Sequence, residues 1–229
     1  MEECSYFDPK VDFPKYYLKD FHAYTGGNLN PLAAKEAKSA TSAVMKHHFD
    51  HLTGDESSHY VRSVFSVVTR TKNVESFVSG SGSTLNEPQR IVDFGCGIGV
   101  STSYLKDYFR EGSISGIDLS PFFLEETPVS DIGFHHGNIE NTSIEPDSVD
   151  VVSISYVLHE LPYDVSKRVL KEAFRILKPG TGVVAILDMH NPKASSPLMR
   201  YIFNRTEPYL NEYSVLAQNM KTDMERIGF

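Results

Sequence analysis

The chain has 229 residues, a formal net charge of −8 and a hydrophobic fraction of 40%, which suit one globular unit able to bury a core. The acidic balance disfavours a nucleic-acid surface, which is ordinarily basic, and Cys4 and Cys96 are too few and too far apart for a disulfide framework. No apolar run reaches bilayer length, and the acidic start Met1-Glu2-Glu3 is unlike a signal peptide, so a cytoplasmic protein with no membrane span is expected.

Residues 1–30 are rich in aromatics, proline and glycine, as in Phe13-Pro14-Lys15-Tyr16-Tyr17 and Phe21-His22-Ala23-Tyr24. They read as an ordered loop lying on a surface, because so many rings are costly to leave in water. Asn30-Pro31 suits a helix start, with Ala33, Ala37, Ala40, Val44 and Leu52 as its stripe. A second helix is expected from Glu56 to Val68, and a third short one holds Val74, Phe77 and Val78. Ser79-Gly80-Ser81-Gly82-Ser83-Thr84 reads as a linker. It divides the chain into an aromatic loop and helical cap, 1–84, and a second unit, 85–229.

From Arg90 strand and helix patterns alternate. Strands are expected at Ile91–Phe94, Ile114–Asp118, Phe134–Ile139, Val149–Val157 and Gly182–Asp188. The fourth and fifth are apolar enough to be covered on both faces. A helix from Asp164 to Lys178 stops at Pro179-Gly180. The fold class is α/β, with a parallel sheet of βαβ units.

The first strand ends in Asp93-Phe94-Gly95-Cys96-Gly97-Ile98-Gly99. A dinucleotide fingerprint would place its third glycine where Val100 stands, and no Lys-Ser or Lys-Thr pair follows to make a phosphate loop. The run resembles motif I of the class I S-adenosylmethionine-dependent methyltransferases. Gly116-Ile117-Asp118-Leu119-Ser120, His136-Gly137-Asn138-Ile139-Glu140, Ser155-Tyr156-Val157-Leu158-His159-Glu160 and Glu172–Gly180 follow in that family's order. The resemblance spans about Arg90 to Asn191. It implies a Rossmann-like sheet with helices on both faces and S-adenosyl-L-methionine as cofactor. The implied binding residues are Asp93, Gly95, Cys96, Gly97 and Gly99 at the turn, Asp118 and Leu119 at the ribose, Asn138 and Ile139 at the adenine, and Ser155 at the crevice. Asp118 as a helix cap, Asn138 as a turn residue and Cys96 as packing remain alternatives. A narrower likeness joins Tyr16-Tyr17, Phe21–Tyr24, Gly27-Asn28-Leu29, Val157–Pro162 and Thr206–Leu210 to uncharacterised methyltransferase-domain proteins of cyanobacteria, algae and plants. It names no substrate.

Two departures from the family pattern stand out. Phe122–Pro128 leaves room for only a turn or two of helix, so one sheet face is expected to be thinly covered. The sequence ends at Phe229, where the family continues into a β-hairpin. Five strands are therefore expected, with an open edge that invites a homo-oligomer, and a truncated, catalytically dead form is an alternative. The resemblance implies methyl transfer to a small-molecule acceptor. A non-catalytic scaffold is a second reading, and a dehydrogenase, disfavoured by Val100, a third. His159, after the fourth strand, is the candidate catalytic residue, a general base near neutral pH with Glu160 to orient it; a packing role in the following turn is its alternative. Tyr17, His22 and Tyr24 are candidates for a lid. His47, His48, His51 and His59 complete no metal-ligand pattern, and no metal is expected.

Overall fold

Alternation along the central strand sets the layers of this molecule. In β1 (Arg90–Phe94) successive side chains point to opposite faces. Ile91 joins Leu105 and Phe109 on one side, while Val92 and Phe94 join Val165, Val169 and Leu170 on the other. The computed structural model describes residues 4–46, 49, 51–70, 90–128, 131–189, 201 and 205–229. Among them β1, β2 (Ser113–Asp118), β3 (Gly133–His136), β4 (Val151–Ser155) and β5 (Val183–Leu187) form one parallel sheet. Its order is β3-β2-β1-β4-β5. The order reverses at β1, which is paired with both β2 and β4, so a crevice is expected beyond the carboxyl ends of these strands.

The helices follow from local signals. Helix α1 (Pro31–Met45) is capped by Asn30, whose side chain accepts from the Leu32 N–H at 2.8 Å. It ends before Leu52, so that residue is no part of its stripe. Helix α2 (Gly54–Arg70) starts two residues earlier than its apolar spacing suggests. Thr53 and Glu56 form a reciprocal capping box there, with Thr53 N–H to Glu56 Oε2 at 2.8 Å and Glu56 N–H to Thr53 Oγ1 at 3.2 Å. The third front helix and the serine–glycine linker lie outside the described residues. Helix α3 (Val100–Tyr108) follows the glycine turn, α4 (Pro121–Glu125) has five residues, and α5 (Tyr163–Ile176) and α6 (Leu210–Ile227) cover the Val92 face. Gly228, at φ 122°, ends α6.

Strand lengths differ from expectation. β3 ends at His136, and its last ladder bond runs from the Gly137 N–H to the Asp118 carbonyl at 2.9 Å. β4 stops at Ser155 because Tyr156 sits at φ 59°, incompatible with a strand. β4 is buried throughout, whereas β5, paired only with β4 among the described residues, is mostly half-buried. The short α4 does not leave its face bare. Tyr6 packs against Leu124, Ile132 and Phe134, and the rings of Phe7 and Phe13 lie 5.9 and 5.7 Å from that of His136. The aromatic N-terminal segment supplies the missing cover.

Candidate functional site

The loop after β1 is built by glycines held at positive φ: Gly95 at 68°, Gly97 at 54° and Gly99 at 75°. A Cβ on Gly95 would stand 2.5 Å from Val157 Cγ2, and one on Gly99 2.8 Å from Phe134 Cζ. Gly95 is thus required by a close approach and Gly99 by packing. The Gly97 N–H donates to Asp118 Oδ2 at 2.8 Å, and the Ser120 N–H to Oδ1 at 2.8 Å. Asp118, at the end of β2, is pinned beside the glycine turn with a lone pair left on each oxygen. Burial, with weaker repulsion from Glu160 and Asp93, outweighs these bonds and pushes its carboxyl up to about 6.

Above the sheet's carboxyl edge is a cavity of about 500 Å³. Gly95, Cys96, Gly97, Asp118, Leu119, Asn138, Ile139, Ser155 and His159 all lie in its wall. Asp93 and Gly99 do not. Asp93 is 1% exposed and accepts from Thr102 Oγ1 at 2.7 Å, tying β1 to α3 behind the turn. Asn138 serves two purposes, since it lines the cavity and its Oδ1 accepts from the Glu140 N–H at 2.9 Å. Cys96 is buried with its thiol pushed up by desolvation, which suits packing rather than nucleophilic work. Tyr17, His22 and Tyr24 line the cavity from the front loop, and Ala33, Ala37 and Val44 of α1 give it an apolar side. His47 and His48 lie outside the described residues, and His59 hydrogen-bonds the Tyr104 hydroxyl at 3.1 Å.

The polar end is a network that no motif spacing announces. His159 Nδ1 meets Asp188 Oδ1 at 2.6 Å, and Asp188 Oδ2 accepts from the Leu158 and His159 N–H groups at 2.9 and 3.3 Å. Asp188, not Glu160, orients the ring. Burial works against the protonated ring, but Asp188 outweighs it and holds His159 above the ordinary imidazole value. His22 Nε2 lies 2.9 Å from Glu160 Oε1, and its Nδ1 lies 2.9 Å from Glu207 Oε1. Burial pulls His22 down, yet the two glutamates raise it to about 10, while His22 holds Glu160 below its usual range against burial. Asn28 Nδ2 donates to Glu160 Oε2 at 2.7 Å. Arg62 of α2, only 6% exposed, donates to Ser101 Oγ and lies with its guanidinium 5.3 Å from the Tyr156 ring centroid. Among the described residues no carboxylate forms a salt bridge to this buried cation in the cavity wall. Asp188, Glu207 and Arg62 escape a reading by spacing because they meet His159, His22 and Ser101 across 29, 185 and 39 residues. Only the runs around Asn28 and Glu207 gave any sequence signal.

Comparison with known proteins agrees with this geometry. Residues 91–180 match a family described as a methyltransferase domain. The chain is 38% identical over 143 residues to a demethylmenaquinone methyltransferase of Lactococcus lactis subsp. lactis, covering 57% of this chain and 54% of the relative. It is 32% identical over 120 residues to a trans-aconitate 2-methyltransferase of Methylobacterium nodulans, covering 52% and 45%. The chain thus spans about half the length of these relatives. Among solved structures, a Methanococcus maripaludis protein assigned to the S-adenosyl-L-methionine-dependent methyltransferases superposes with a TM-score of 0.54 at 17% identity, covering 87% of this chain and 85% of its own. Phosphoethanolamine N-methyltransferase 2 of Haemonchus contortus, in complex with S-adenosyl-L-methionine, gives 0.52 at 19% identity, covering 68% and 36%. These two likenesses concern the fold.

Proposed function

We propose that this chain, which carries a match to a methyltransferase domain over residues 91–180, is a class I methyltransferase that binds S-adenosyl-L-methionine in the crevice cavity and methylates a small-molecule acceptor there. The observation that carries this reading is the junction of Gly97 and Asp118. A backbone without Cβ and a carboxylate with free lone pairs edge the same cavity, tied by a 2.8 Å hydrogen bond. The residues present fit the cofactor. Asp118 would accept from the ribose hydroxyls, Leu119 and Ile139 would flank the adenine, and Asn138 would meet its polar edge. Gly95 and Gly97 would allow close approach of the backbone. Arg62 supplies a buried positive charge for the carboxylate of the methionine portion.

When bound, the cofactor supplies an electrophilic methyl group on sulfonium sulfur. The chain's contribution is to position the two reactants and exclude water. Tyr17, His22 and Tyr24 close the cavity from the front loop, and α1 gives an apolar face for the acceptor. His159 stands at the acceptor end of the cavity. With Nδ1 engaged by Asp188, the nitrogen left toward Glu160 and the cavity is Nε2. The acceptor is thereby expected to carry an apolar body and one polar group.

Calorimetric titration with S-adenosyl-L-methionine and S-adenosylhomocysteine tests the reading. Micromolar binding is expected. Asp118→Asn should weaken it by roughly 30- to 100-fold, the worth of about 2–3 kcal/mol of charge-assisted hydrogen bonding. No binding by the folded protein would overturn the reading.

A further inference from the structure

The polar end of the cavity is more elaborate than positioning an acceptor requires. One ligand atom from each of His22, His159 and Glu160 lies within 4.8 Å of the other two. Glu160 Oε1 stands 2.9 Å from His22 Nε2 and 3.9 Å from His159 Nε2. An ion bound at about 2.1 Å holds neighbouring ligands roughly 3 to 3.5 Å apart, so modest side-chain rotation closes the set. The surroundings carry the argument further. Each imidazole has its other nitrogen on a carboxylate, Glu207 for His22 at 2.9 Å and Asp188 for His159 at 2.6 Å. That outer pairing fixes tautomer and ring direction in metal-ligating histidines. Asn28 fixes the second oxygen of Glu160. Glu207, 6% exposed, keeps Oε2 buried with no hydrogen-bond partner.

We propose that His22, His159 and Glu160 bind a divalent transition-metal ion at the acceptor end of the cavity, each imidazole releasing any Nε2 proton to solvent as it ligates, with Glu207 and Asp188 orienting the two imidazoles. Two nitrogens and one oxygen suit zinc, manganese, iron(II) or cobalt better than magnesium or calcium, which prefer all-oxygen sets. Three protein ligands on a cavity wall leave coordination positions for a substrate, as catalytic rather than structural sites do. The acceptor class this selects is an oxygen nucleophile. An acceptor hydroxyl placed against the ion loses its proton to solvent more readily. Its oxygen forms the new bond to the methyl carbon, and the carbon–sulfur bond breaks with its pair passing to sulfur. This role rests on the methyl-transfer reading, whereas the metal site stands without it.

The full chain, stripped with chelator, is titrated calorimetrically with manganese, cobalt and zinc chlorides, alongside His22→Gln, Glu160→Gln and Glu207→Gln checked for fold by circular dichroism. One ion per chain is expected. The first two substitutions should cost at least 100-fold in affinity, and Glu207→Gln should cost roughly 10- to 100-fold. Cobalt-loaded wild type should also show two paramagnetically shifted, exchangeable imidazole N–H resonances, a measurement that needs no variant. Failure to bind any of the three ions by protein that still binds S-adenosylhomocysteine would overturn the metal site and leave the cofactor reading standing. Unchanged affinity in the folded variants, or fewer than two such resonances, would overturn it as well. Metal binding without S-adenosylhomocysteine binding would keep the site and remove its assigned role.

Discussion

Asp118 holds two backbone N–H groups and lines the cavity, and burial sets these tasks against its charge. Its folded value of about 6 lies above the ordinary one. Its contribution to the stability of the unliganded fold is therefore full below about pH 4 and is lost as pH rises through 6. On the proposed reading cofactor binding runs the other way, because ribose hydroxyls held by Asp118 would need the carboxylate as acceptor. Affinity for S-adenosylhomocysteine should be level above pH 7 and fall about tenfold by pH 5, with proton release on binding near pH 6. His22, raised to about 10, does not titrate in that window. Calorimetry in buffers of different ionisation heat checks both the fall and the proton count, and a flat profile would remove the carboxylate from the binding step. The position of Asp118 after the second strand was legible in the sequence. Its raised proton affinity was not, because desolvation depends on what covers the group.

At the scale of elements, two glycines with similar backbones make different demands. Gly99 begins α3 at φ 75°, and a Cβ there meets the Phe134 ring at 2.8 Å. Gly180, at φ 68° after α5, would meet nothing within 4 Å. Gly99→Ala should cost about 2–4 kcal/mol, the left-handed penalty plus overpacking. Gly180→Ala should cost only about 1 kcal/mol. Urea unfolding of both variants measures the difference, and equal costs would show that the Phe134 contact relaxes freely. The same scale explains the missed end of β4. Apolar residues continue past Ser155 to Val157, but a positive φ at Tyr156 stops that ladder. Such a break depends on a single dihedral and leaves no periodic trace.

For the molecule as a whole, three distant segments meet over one cavity. The front loop brings His22 and Asn28, the turn after β4 brings His159 and Glu160, and the stretch before α6 brings Glu207. Closing the cavity should therefore order these segments together. S-adenosylhomocysteine should slow amide exchange at least tenfold in residues 16–30 and 95–101, while core amides of α5 such as Val169 and Ala173 stay unchanged. Unaltered exchange in 16–30 would show that the front loop is not part of the closure.

Periodicity, glycine spacing and the carboxylate after the second strand determined the five-stranded parallel sheet and much of the cavity wall, because these are local patterns tied to a repeating backbone geometry. The cover over α4, the charge state of Asp118, the Asp188–His159 pairing and the union of His22, Glu160 and Glu207 were decided only by the tertiary structure. Each joins residues far apart in the chain, and what each group becomes depends on the neighbours and the loss of water that folding imposes.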